Sequence, residues 1–408
     1  MEEIKKIIVL SVGVSSVLMA GGYRLPEQSI HSIGLSDAYV AHTMGADTAY
    51  YNPAAMVFMD SKQYFEAGVT LVTLPAQTYT LIGPLSGKSE KENVLTPTIF
   101  YVSKPMDNVR WGLSLVVPAG STKRWKTAYQ KLFAEEFTLK NIELNPTVAY
   151  KVSEEFAVGA GLRVVYSQGI VNSDGGNIAP VKREMEGDTI AFGYNVALMY
   201  NLVSDMHLAI TYRSNIDLKE EGQANLYFGK VGQQYDSSVT VPLPAALNIG
   251  VSKTWQEWLT VELKYERIYW SAYKTLDFEY DRPIQAGLYN TFDKPLRRHW
   301  HDTDSFRVGA TMKVNEKLTV LAGAGIDESP VPLDTIGFEL ADSDAKIFSL
   351  GFRYQQTKNL SWGAAFLMSK KDSIALKPGV AENIVLSKGG KFTDGGAFLT
   401  TIGMAYTF

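Results

Sequence analysis

The sequence predicts an all-β protein, a transmembrane antiparallel β-barrel of about fourteen strands with an N-terminal plug (hatch) in its lumen. Three features predict this class. Strand-length segments alternate apolar and polar residues, the links between them alternate in length, and one segment near the start of the chain fits no strand. Hydrophobic residues make up 46% of the chain, yet the mean hydropathy is only -0.06. The apolar surface must therefore be spread by alternation instead of being gathered in long apolar runs.

Residues 1–20 are predicted to be a cleaved signal peptide. Lys5 and Lys6 precede an apolar run that is too short to cross a bilayer as a helix and that ends in the small residue Ala20. Cleavage there would leave a mature chain that begins at Gly21. Because the sequence contains no cysteine, a lipid-anchored lipoprotein and a disulfide-stabilised secreted scaffold are both excluded.

Alternation is clear in the segment that begins at Phe156. One set of alternate residues is apolar and comprises Phe156, Val158, Ala160, Leu162, Val164 and Tyr166. The interleaved set is mostly small or polar and comprises Ala157, Gly159, Gly161, Arg163, Val165 and Ser167. A barrel in lipid places the first set outward and the second inward. The chain also ends on such a strand, with Phe408 on the outward side, and a terminal aromatic residue is typical of bacterial outer-membrane barrels.

Similar patterns predict strands at Tyr64–Leu81, Leu95–Ser103, Trp111–Pro118, Phe137–Lys151, Phe156–Gln168, Thr189–Leu202, Met206–Arg213, Val239–Lys253, Leu259–Tyr269, Ser305–Val314, Leu318–Asp327, Ala345–Gln355, Leu360–Lys370 and Ala397–Phe408. Short polar links, such as Ser204-Asp205, alternate with long ones, such as 270–304. A bacterial barrel has short turns at its periplasmic rim and long loops at its extracellular rim. A soluble β-sandwich has no reason to sort its loops in this way.

A barrel of this size cannot fill its own interior, because about eight strands suffice for that and sixteen or more leave an aqueous channel. The material outside the strand pattern that is large enough to close the hole is the segment 21–62. We therefore predict three parts: a signal peptide at 1–20, a hatch at 21–62 and a barrel at 63–408.

The segment "GGYRLPEQSIHSIGLSDAYVAHTMGADTAYYNPAAM", Gly21 to Met56, resembles the N-terminal hatch of the FadL family of outer-membrane long-chain fatty-acid and hydrocarbon transporters. The likeness includes Tyr23, the Glu27-Gln28-Ser29 run and the Asn52-Pro53-Ala54 turn, and it continues in family order through "VPLPAALNIGVS" and "GAGIDESPVP". One departure is Ala345, where the family often carries a basic residue. The resemblance implies passive uptake of a hydrophobic molecule that leaves through a lateral opening gated by the hatch.

In the family, the Asn-Pro-Ala turn sits beside a kink in the third strand. Here that strand contains Gly112 and then Pro118-Ala119-Gly120, residue types that weaken a ladder or mark a bulge. The resemblance therefore assigns gating to Tyr23, Asn52, Pro53, Ala54, Gly112 and Pro118. From the residues alone, a second interpretation stays open, in which Pro118 only ends the strand and Asn52-Pro53 only tightens the plug.

A fatty acid needs an apolar slot for its tail and a cation or donor for its carboxylate. The basic residues at inward positions include Arg163, Arg213, Lys264, Arg307 and Arg353. Arg163 and Arg307 are the candidates for carboxylate binding, since each lies in mid-strand beside small residues. Alternatively, these cations pair with inward acids such as Glu262 and Glu266 and line a wet lumen.

A ligand-capture surface is predicted in a long extracellular loop. Trp125, Tyr129, Leu132 and Phe133 follow helical spacing and would form an exposed apolar stripe that contacts a hydrophobic ligand first. In the alternative interpretation the stripe packs on a neighbouring loop, such as the one that contains the run 226–228.

Other functional classes have little support. The net charge of -4, without a basic patch, argues against nucleic-acid binding. His299-x-His301 is a weak signal for a metal site, and no nucleophile can be placed beside His207. We therefore expect that the protein binds no metal or cofactor and is not an enzyme. The expected partners are a hydrophobic ligand and outer-membrane lipid, and the expected state is a monomer. The alternative function is a general diffusion porin for small hydrophilic solutes, which would have no reason to retain a plug.

Overall fold

The computed structural model describes residues 21–408, so the predicted signal peptide, residues 1–20, lies outside the described residues. Fourteen strands of the described chain form a closed antiparallel barrel, in which each strand pairs with the next and the last pairs with the first. They are β1 (Tyr64–Leu74), β2 (Glu92–Val102), β3 (Val109–Val116), β4 (Glu136–Lys151), β5 (Phe156–Asp174), β6 (Val181–Val203), β7 (Met206–Arg213), β8 (Ala246–Trp255), β9 (Leu259–Ile268), β10 (Thr303–Lys313), β11 (Leu318–Asp327), β12 (Ala345–Gln355), β13 (Leu360–Lys371) and β14 (Gly396–Thr407). The predicted fold class is confirmed.

Four predicted strands differ in extent from the observed ones by more than three residues, and two of these are longer than predicted, since β5 reaches Asp174 and β6 begins at Val181. The first strand of the barrel ends at Leu74, before Pro75, instead of reaching Leu81. The eighth begins at Ala246, after Pro244, because Val239 belongs to a hairpin that the sequence analysis assigned to a loop. Proline lacks the backbone donor that a ladder needs, which explains both breaks. The hairpin consists of the strands Ile216–Phe228 and Val231–Leu243, and its first strand extends the pairing of β6 beyond β7.

The two faces of the wall carry different side chains. Outward residues such as Leu162 and Phe192 are exposed, while inward residues such as Arg163 and Ser167 are buried. Along β6 the outward side chains change from aromatic ones to the run Glu184, Glu186 and Asp188, which marks the outer limit of the apolar band. The alternation in the sequence therefore predicts correctly which side chains face outward and which face the lumen.

Outside the wall, the described chain forms small elements at the extracellular end. Short strands lie at Thr78–Thr80, Gly87–Lys88, Gly120–Arg124, Thr275–Leu276, Phe278–Tyr280, Leu296–Arg297, Ile374–Leu376 and Gly390–Thr393. An α-helix spans Ala128–Ala134, a π-helix spans Tyr289–Asp293, and 3-10 helices span Gly83–Leu85, Trp270–Ala272, Ala286–Leu288 and Leu386–Lys388. Between residues 21 and 408, no helix has the length and apolar character needed to cross a membrane.

The residues before β1 fold inside the barrel as the predicted plug. Two short α-helices, Ile30–Gly34 and Thr48–Tyr51, are followed by a 3-10 helix, Pro53–Phe58. Ser29 caps the first of them, since its hydroxyl accepts from the Ser32 amide at 3.2 Å. Gly34 of this helix lies so close to β11 and β12 that an added Cβ would come within 2.9 Å of Leu321. The plug is therefore seated directly on the inner surface of the wall.

Candidate ligand path: wall break, hatch and cavity

The wall is interrupted between β2 and β3. These strands pair only from Ile99↔Leu115 to Val102↔Gly112, so within the described residues the stretch 92–98 of β2 has no partner in β3. β3 stops at Val116, and the chain resumes an extended course only at Gly120–Arg124, which pairs with β4 instead. Pro97 lies in the unpaired stretch, where its missing amide hydrogen costs no ladder bond. A window without strand pairing therefore separates β2 from the segment 117–124.

The hatch supplies hydrogen bonds that the missing strand pairing would have made. The Leu25 amide donates to the Pro118 carbonyl at 2.9 Å, and the Gly120 amide donates to the Tyr23 carbonyl at 2.8 Å. Gln28 bonds both backbone groups of Val117, with its Nε2 donating at 2.9 Å and its Oε1 accepting at 3.0 Å. Buried backbone groups need such partners. The hatch is thus the hydrogen-bonding partner of the break.

Inward acids of the wall hold the hatch at its middle. One carboxylate, Glu262 of β9, accepts from the amides of Ala41 at 2.9 Å and His42 at 2.8 Å, and also from that of Val40. Nearby, Lys264 pairs with Asp37 of the hatch. Three amides converging on one carboxylate form a strong, charge-assisted anchor.

A second anchor joins Glu27 of the hatch to Arg307 of β10 at 3.1 Å. Burial raises the pKa of Glu27 to about 8, although the Arg307 guanidinium opposes this rise. Burial also raises the pKa of the Tyr23 phenol well above its usual value, so this hydroxyl stays a neutral donor and bonds the Pro242 carbonyl. The hatch is held by both charged and neutral contacts.

His31, Asp47 and Glu66 bring ligand-type atoms within 4.8 Å of one another. Arg353 occupies this cluster, because its Nε lies 3.1 Å from His31 Nε2 and its guanidinium pairs with Glu66. His31 Nδ1 in turn lies 3.0 Å from Asp47. Burial works against ionisation of Asp47, but His31 and Arg353 still lower its pKa. The arrangement is that of an ion-pair network between hatch and wall.

The predicted gating residues occupy two separate places. Tyr23 and Pro118 both lie at the break, where Tyr23 bonds Gly120 and Pro118 bonds Leu25. The Asn52-Pro53-Ala54 turn packs elsewhere: Asn52 donates to the Val40 carbonyl at 2.8 Å, and a Cβ on Gly159 of β5 would lie 2.6 Å from the Ala54 nitrogen. The structure thus differs from the expectation that this turn sits beside the third-strand kink, because the residues that contact the kink precede the turn by more than twenty positions.

Gly112, the remaining predicted gating residue, lies on the inner surface of β3 beneath the hatch. An added Cβ there would come within 2.6 Å of the Ala49 Cβ and 2.8 Å of the Met56 sulfur. The missing side chain of Gly112 allows the hatch to approach the wall closely, and its backbone is not left-handed.

Arg163 and Arg307 are both ion-paired with protein groups. Arg163 pairs with Glu143 at 3.0 Å and donates to the Ser214 carbonyl at 2.6 Å. Arg307 pairs with Asp327 at 2.8 Å in addition to Glu27. These contacts match the alternative interpretation, in which inward cations pair with inward acids. A carboxylate clamp at either residue stays a prediction, and it would require an existing ion pair to break.

The predicted capture stripe is not exposed as expected. Trp125 is fully buried and donates from Nε1 to the Phe338 carbonyl at 2.9 Å. Phe133 stacks on the Phe338 ring at a centroid distance of 5.9 Å. Tyr129, on the helix Ala128–Ala134, is half-buried. The prediction that Trp125 is exposed is wrong, because the loop 328–344 covers it. A role in ligand capture for Tyr129 and Phe133 stays a prediction.

An apolar cavity lies above the hatch. Its volume is about 40 Å³, well below the volume of a ligand-filled pocket, so its lining must move apart to admit an alkyl chain. The lining is mainly aliphatic and aromatic, and it includes Phe137, Leu139, Val171, Val239, Val241, Leu276, Phe278 and Trp300. Tyr23 also lines it, and Tyr23 is the residue whose carbonyl bonds Gly120 at the break. One hatch residue therefore touches both the cavity and the window.

Sequence analysis missed several residues of this site. Gln28 was noted only within a motif, and Ser121 and Lys123 were assigned to a loop, because Pro118 was taken as the end of the third strand. The segment Gly120–Arg124 shows no alternation of apolar and polar residues that could have identified the last two as strand residues.

A closed fourteen-stranded barrel with a hatch bonded into its lumen defines a plugged outer-membrane transport barrel. The chain belongs to the outer membrane protein transport protein family (OMPP1/FadL/TodX), whose sequence profile matches residues 11–408. The predicted family and the bacterial outer-membrane location are confirmed. Members of this family are transport proteins and not enzymes, so this chain is not an enzyme.

Two relatives and two solved structures illustrate the likeness. The long-chain fatty acid transport protein of Escherichia coli O6:H1 is 24% identical, with 92% of this chain and 93% of the relative covered. Outer membrane protein P1 of Haemophilus influenzae (strain KW20) is 24% identical, with 88% and 90% covered. A FadL homologue from Pseudomonas aeruginosa superposes with a TM-score of 0.84 at 19% identity, covering 95% of this chain and 99% of that one. The Ralstonia pickettii toluene transporter TbuX gives a TM-score of 0.71 at 16% identity, covering 93% and 98%.

Proposed function

We propose that this protein takes up long-chain fatty acids or other hydrophobic small molecules passively, and that the ligand leaves sideways through the break between β2 and β3 when the hatch rearranges. Relatives named as fatty acid transport proteins and a solved toluene transporter support the ligand class. The observation that carries the route is the set of hydrogen bonds from Tyr23, Leu25 and Gln28 to residues 117–120.

A lateral route suits a hydrophobic ligand. The hatch fills the lumen with ion pairs and buried polar groups, through which an alkyl chain would have to lose its apolar contacts. The window opens instead toward the apolar outer face of the barrel, where Leu95 of the unpaired stretch is exposed. An alkyl chain that leaves through the window therefore exchanges an apolar cavity for the apolar outer face.

The energies are compatible with gating by the ligand itself. Four hydrogen bonds hold the hatch to residues 117–120, and at about 1 kcal/mol each they contribute about 4 kcal/mol. Each buried methylene of a ligand contributes about 0.8 kcal/mol. Burial of about five methylenes therefore offsets the loss of these bonds, so no external energy source is needed.

A disulfide across the break tests the route. Arg24 and Ala119 form an antiparallel bridge between the hatch and the third strand, and the chain has no cysteine of its own. In Arg24→Cys/Ala119→Cys, oxidation should lower uptake of labelled palmitate by about tenfold or more, since the hatch can no longer leave the break, and reductant should restore it. The measurement uses cells in which this protein is the sole transporter of its family.

The matched control places the same cross-link in an unbroken seam. Ala67 of β1 and Met404 of β14 are register partners in the continuous ladder, and Ala67→Cys/Met404→Cys should not change uptake on oxidation. Equal uptake by the oxidised and reduced forms of the hatch variant would contradict lateral exit at this break. A large steady ion conductance of the wild-type protein in planar bilayers would instead favour the porin alternative.

A further inference from the structure

The extracellular side of the cavity contains a joint between two elements that each line it. One is the hairpin strand Val231–Leu243, which lines the cavity through Val239 and Val241. The other is the short strand Phe278–Tyr280, which lines it through Phe278. These strands pair at three positions only, Ser237↔Tyr280, Ser238↔Glu279 and Val239↔Phe278. This joint is termed the roof seam.

The roof seam is the less firmly held of the two edges of the hairpin. At its other edge, the hairpin pairs with β6 without interruption from Glu221↔Asp188 to Phe228↔Val181. Next to the three pairs of the roof seam, residues 240–245 have no strand partner on the loop side within the described chain. Segments with few backbone hydrogen bonds open at the lowest free energy. The roof seam should therefore part before the edge at β6 does.

The roof seam is also a thin partition between the cavity and the outside. Opposed residues of an antiparallel pair point to the same face, and the next pair points to the other face. Val239 and Phe278 face the cavity, whereas Ser238 and Glu279 line an open depression on the outer surface. Consecutive residues of the same two strands thus touch the cavity and the outside, and no further layer lies between them.

The cavity needs such a moving part, because its lining must separate to admit an alkyl chain. The lining on β4 and β5, which includes Phe137 and Val171, belongs to a ladder in which these two residues are register partners. Separation there would break a long run of wall pairs. Separation of the roof seam breaks three pairs and can occur while the hatch stays bonded to residues 117–120.

The outer depression carries negative charge. Its lining includes four acids and no basic residue: Glu221, Gly222, Gln223, Asp236, Ser237, Ser238, Glu279, Tyr280 and Asp281. Lys219 pairs with Glu221 at 3.0 Å and Arg282 pairs with Asp281 at 2.6 Å, both from outside this lining. Within residues 21–408, the other two acids make no ion pair, and Glu279 accepts a hydrogen bond from the Ser238 hydroxyl at 2.9 Å.

Asp277 extends this acidic rim, since it is exposed on the same side of its segment as Glu279. Burial raises the pKa of Asp277, and the charges of Glu279 and Asp293 raise it further. The negative potential at the rim repels a carboxylate and leaves an uncharged molecule unaffected.

We propose that hydrophobic molecules enter the cavity from outside through the roof seam, and that its acidic rim favours uncharged molecules over carboxylates. The inference rests on the proposed uptake of hydrophobic molecules and adds an entrance and a ligand preference to it. Entry and exit then lie at separate seams, since the roof seam opens the cavity to the extracellular side and the break between β2 and β3 opens it to the membrane.

A disulfide across the roof seam tests the entrance, in cells in which this protein is the sole transporter of its family. In Ser238→Cys/Glu279→Cys, oxidation should lower uptake of labelled 1-hexadecanol by about tenfold or more, and reductant should restore it, because the cross-linked seam cannot part. Glu186→Cys/Gln223→Cys is the matched control. These exposed register partners tie the same hairpin to β6, and their oxidation should not change uptake.

Photolabelling of the cavity lining by a diazirine analogue of 1-hexadecanol, read by mass spectrometry, separates entry from exit. Oxidation of the roof-seam variant should lower the labelling together with the uptake. Oxidation of Arg24→Cys/Ala119→Cys should lower uptake only, since the cavity still fills. Unchanged uptake and labelling in the oxidised roof-seam variant would overturn the entrance, whatever the hatch variant shows. Loss of uptake in the roof-seam variant alone would support the entrance and refute the lateral exit of the proposed function.

The ligand preference is tested by Asp236→Asn/Glu279→Gln, with palmitate and 1-hexadecanol compared because they differ only in the head group. In low-salt medium, the initial rate of palmitate uptake should rise by about threefold to tenfold, and the gain should shrink as salt screens the rim. Uptake of 1-hexadecanol should not change. Glu154→Gln/Glu155→Gln, which removes two charges from the turn between β4 and β5, should affect neither ligand. Equal gains for both ligands, or no gain for palmitate, would overturn the preference.

Discussion

Two seams of the wall satisfy their backbone hydrogen-bonding groups in different ways. The seam between β1 and β14 is continuous, with register partners from Tyr64↔Thr407 to Thr73↔Phe398. The seam between β2 and β3 pairs only from Ile99 to Val102 and then opens. Both seams must satisfy their backbone groups, since lipid offers no hydrogen bonds. The first does so within the wall, and the second relies on the hatch.

The difference shows how a barrel can open without unfolding. Breaking a continuous ladder exposes donors and acceptors to lipid, at a cost of several kcal/mol for each unsatisfied group. At the break, the bonds to residues 117–120 come from a segment that lies in the lumen and can move as a unit. The stability of the closed wall there is therefore set by how firmly the hatch is seated, whereas the β1–β14 seam does not depend on the hatch.

The largest effect is expected from Gly159→Val. A Cβ at this position would lie 2.6 Å from the Ala54 nitrogen and 2.9 Å from the Pro53 carbonyl carbon, both backbone atoms that cannot rotate away. The clash should destabilise the seated hatch by about 3 kcal/mol or more. Hydrogen exchange should then rise at the Leu25 and Gly120 amides and stay unchanged in the β1–β14 seam.

Ala160→Val is the matched control for this substitution. This control substitution adds two methyl groups at the next residue of β5, where the side chain is exposed on the outer face. It should leave exchange in both seams unchanged. A rise in both seams with Gly159→Val would mean that the barrel as a whole is destabilised, and the dependence of the break on the hatch would then be refuted.

A somewhat smaller effect is expected from Glu262→Ala. This change removes the acceptor of the Val40, Ala41 and His42 amides and leaves these three donors without a partner. The substitution should destabilise the seated hatch by about 3 kcal/mol, with part of this loss confined to these three residues. Exchange of the three amides should rise by about a hundredfold, with a smaller rise at the break. Thr260→Ala is the control, because Thr260 bonds Thr254 within the wall at 2.9 Å, and exchange at the hatch should not respond to it.

The sequence was sufficient for the wall and insufficient for the hatch contacts. Period-two alternation and turn residues are local signals, and they placed segments of all fourteen strands and the inward face of Arg163 and Arg307. The partners of these arginines come from other parts of the chain: Glu27 lies 280 residues from Arg307. Alternation shows which way a side chain points, but it does not show which acid meets it across a lumen.

The break illustrates the same limit at closer range. Pro118 correctly suggested an interruption of the third strand, since proline lacks a ladder donor. The groups that bond the interrupted segment, however, belong to a hatch segment about 90 residues earlier in the chain. The family resemblance pointed to the Asn52-Pro53-Ala54 turn instead. Ser121 and Lys123 were hidden for a related reason: a strand of five residues that pairs with β4 alone has too few alternations to stand out in the sequence.

The smallest expected effect belongs to Gln28→Ala, which removes the two bonds to Val117 and one bond within the hatch, to the Leu25 carbonyl at 2.6 Å. Two neutral bonds contribute about 2 kcal/mol, so exchange of the Val117 amide should rise by about thirtyfold, with little change at Val40 to His42. Because the closed state of the window loses stability while the cavity is untouched, palmitate uptake should rise severalfold and palmitate affinity should stay the same. Gln77→Ala is the control, since the Gln77 side chain bonds the Ala341 carbonyl at 2.9 Å, outside the hatch. Reduced uptake in Gln28→Ala would show that Gln28 supports the open state of the break and not its closed state, and the assignment of the hatch as the closing partner of this seam would have to be reversed.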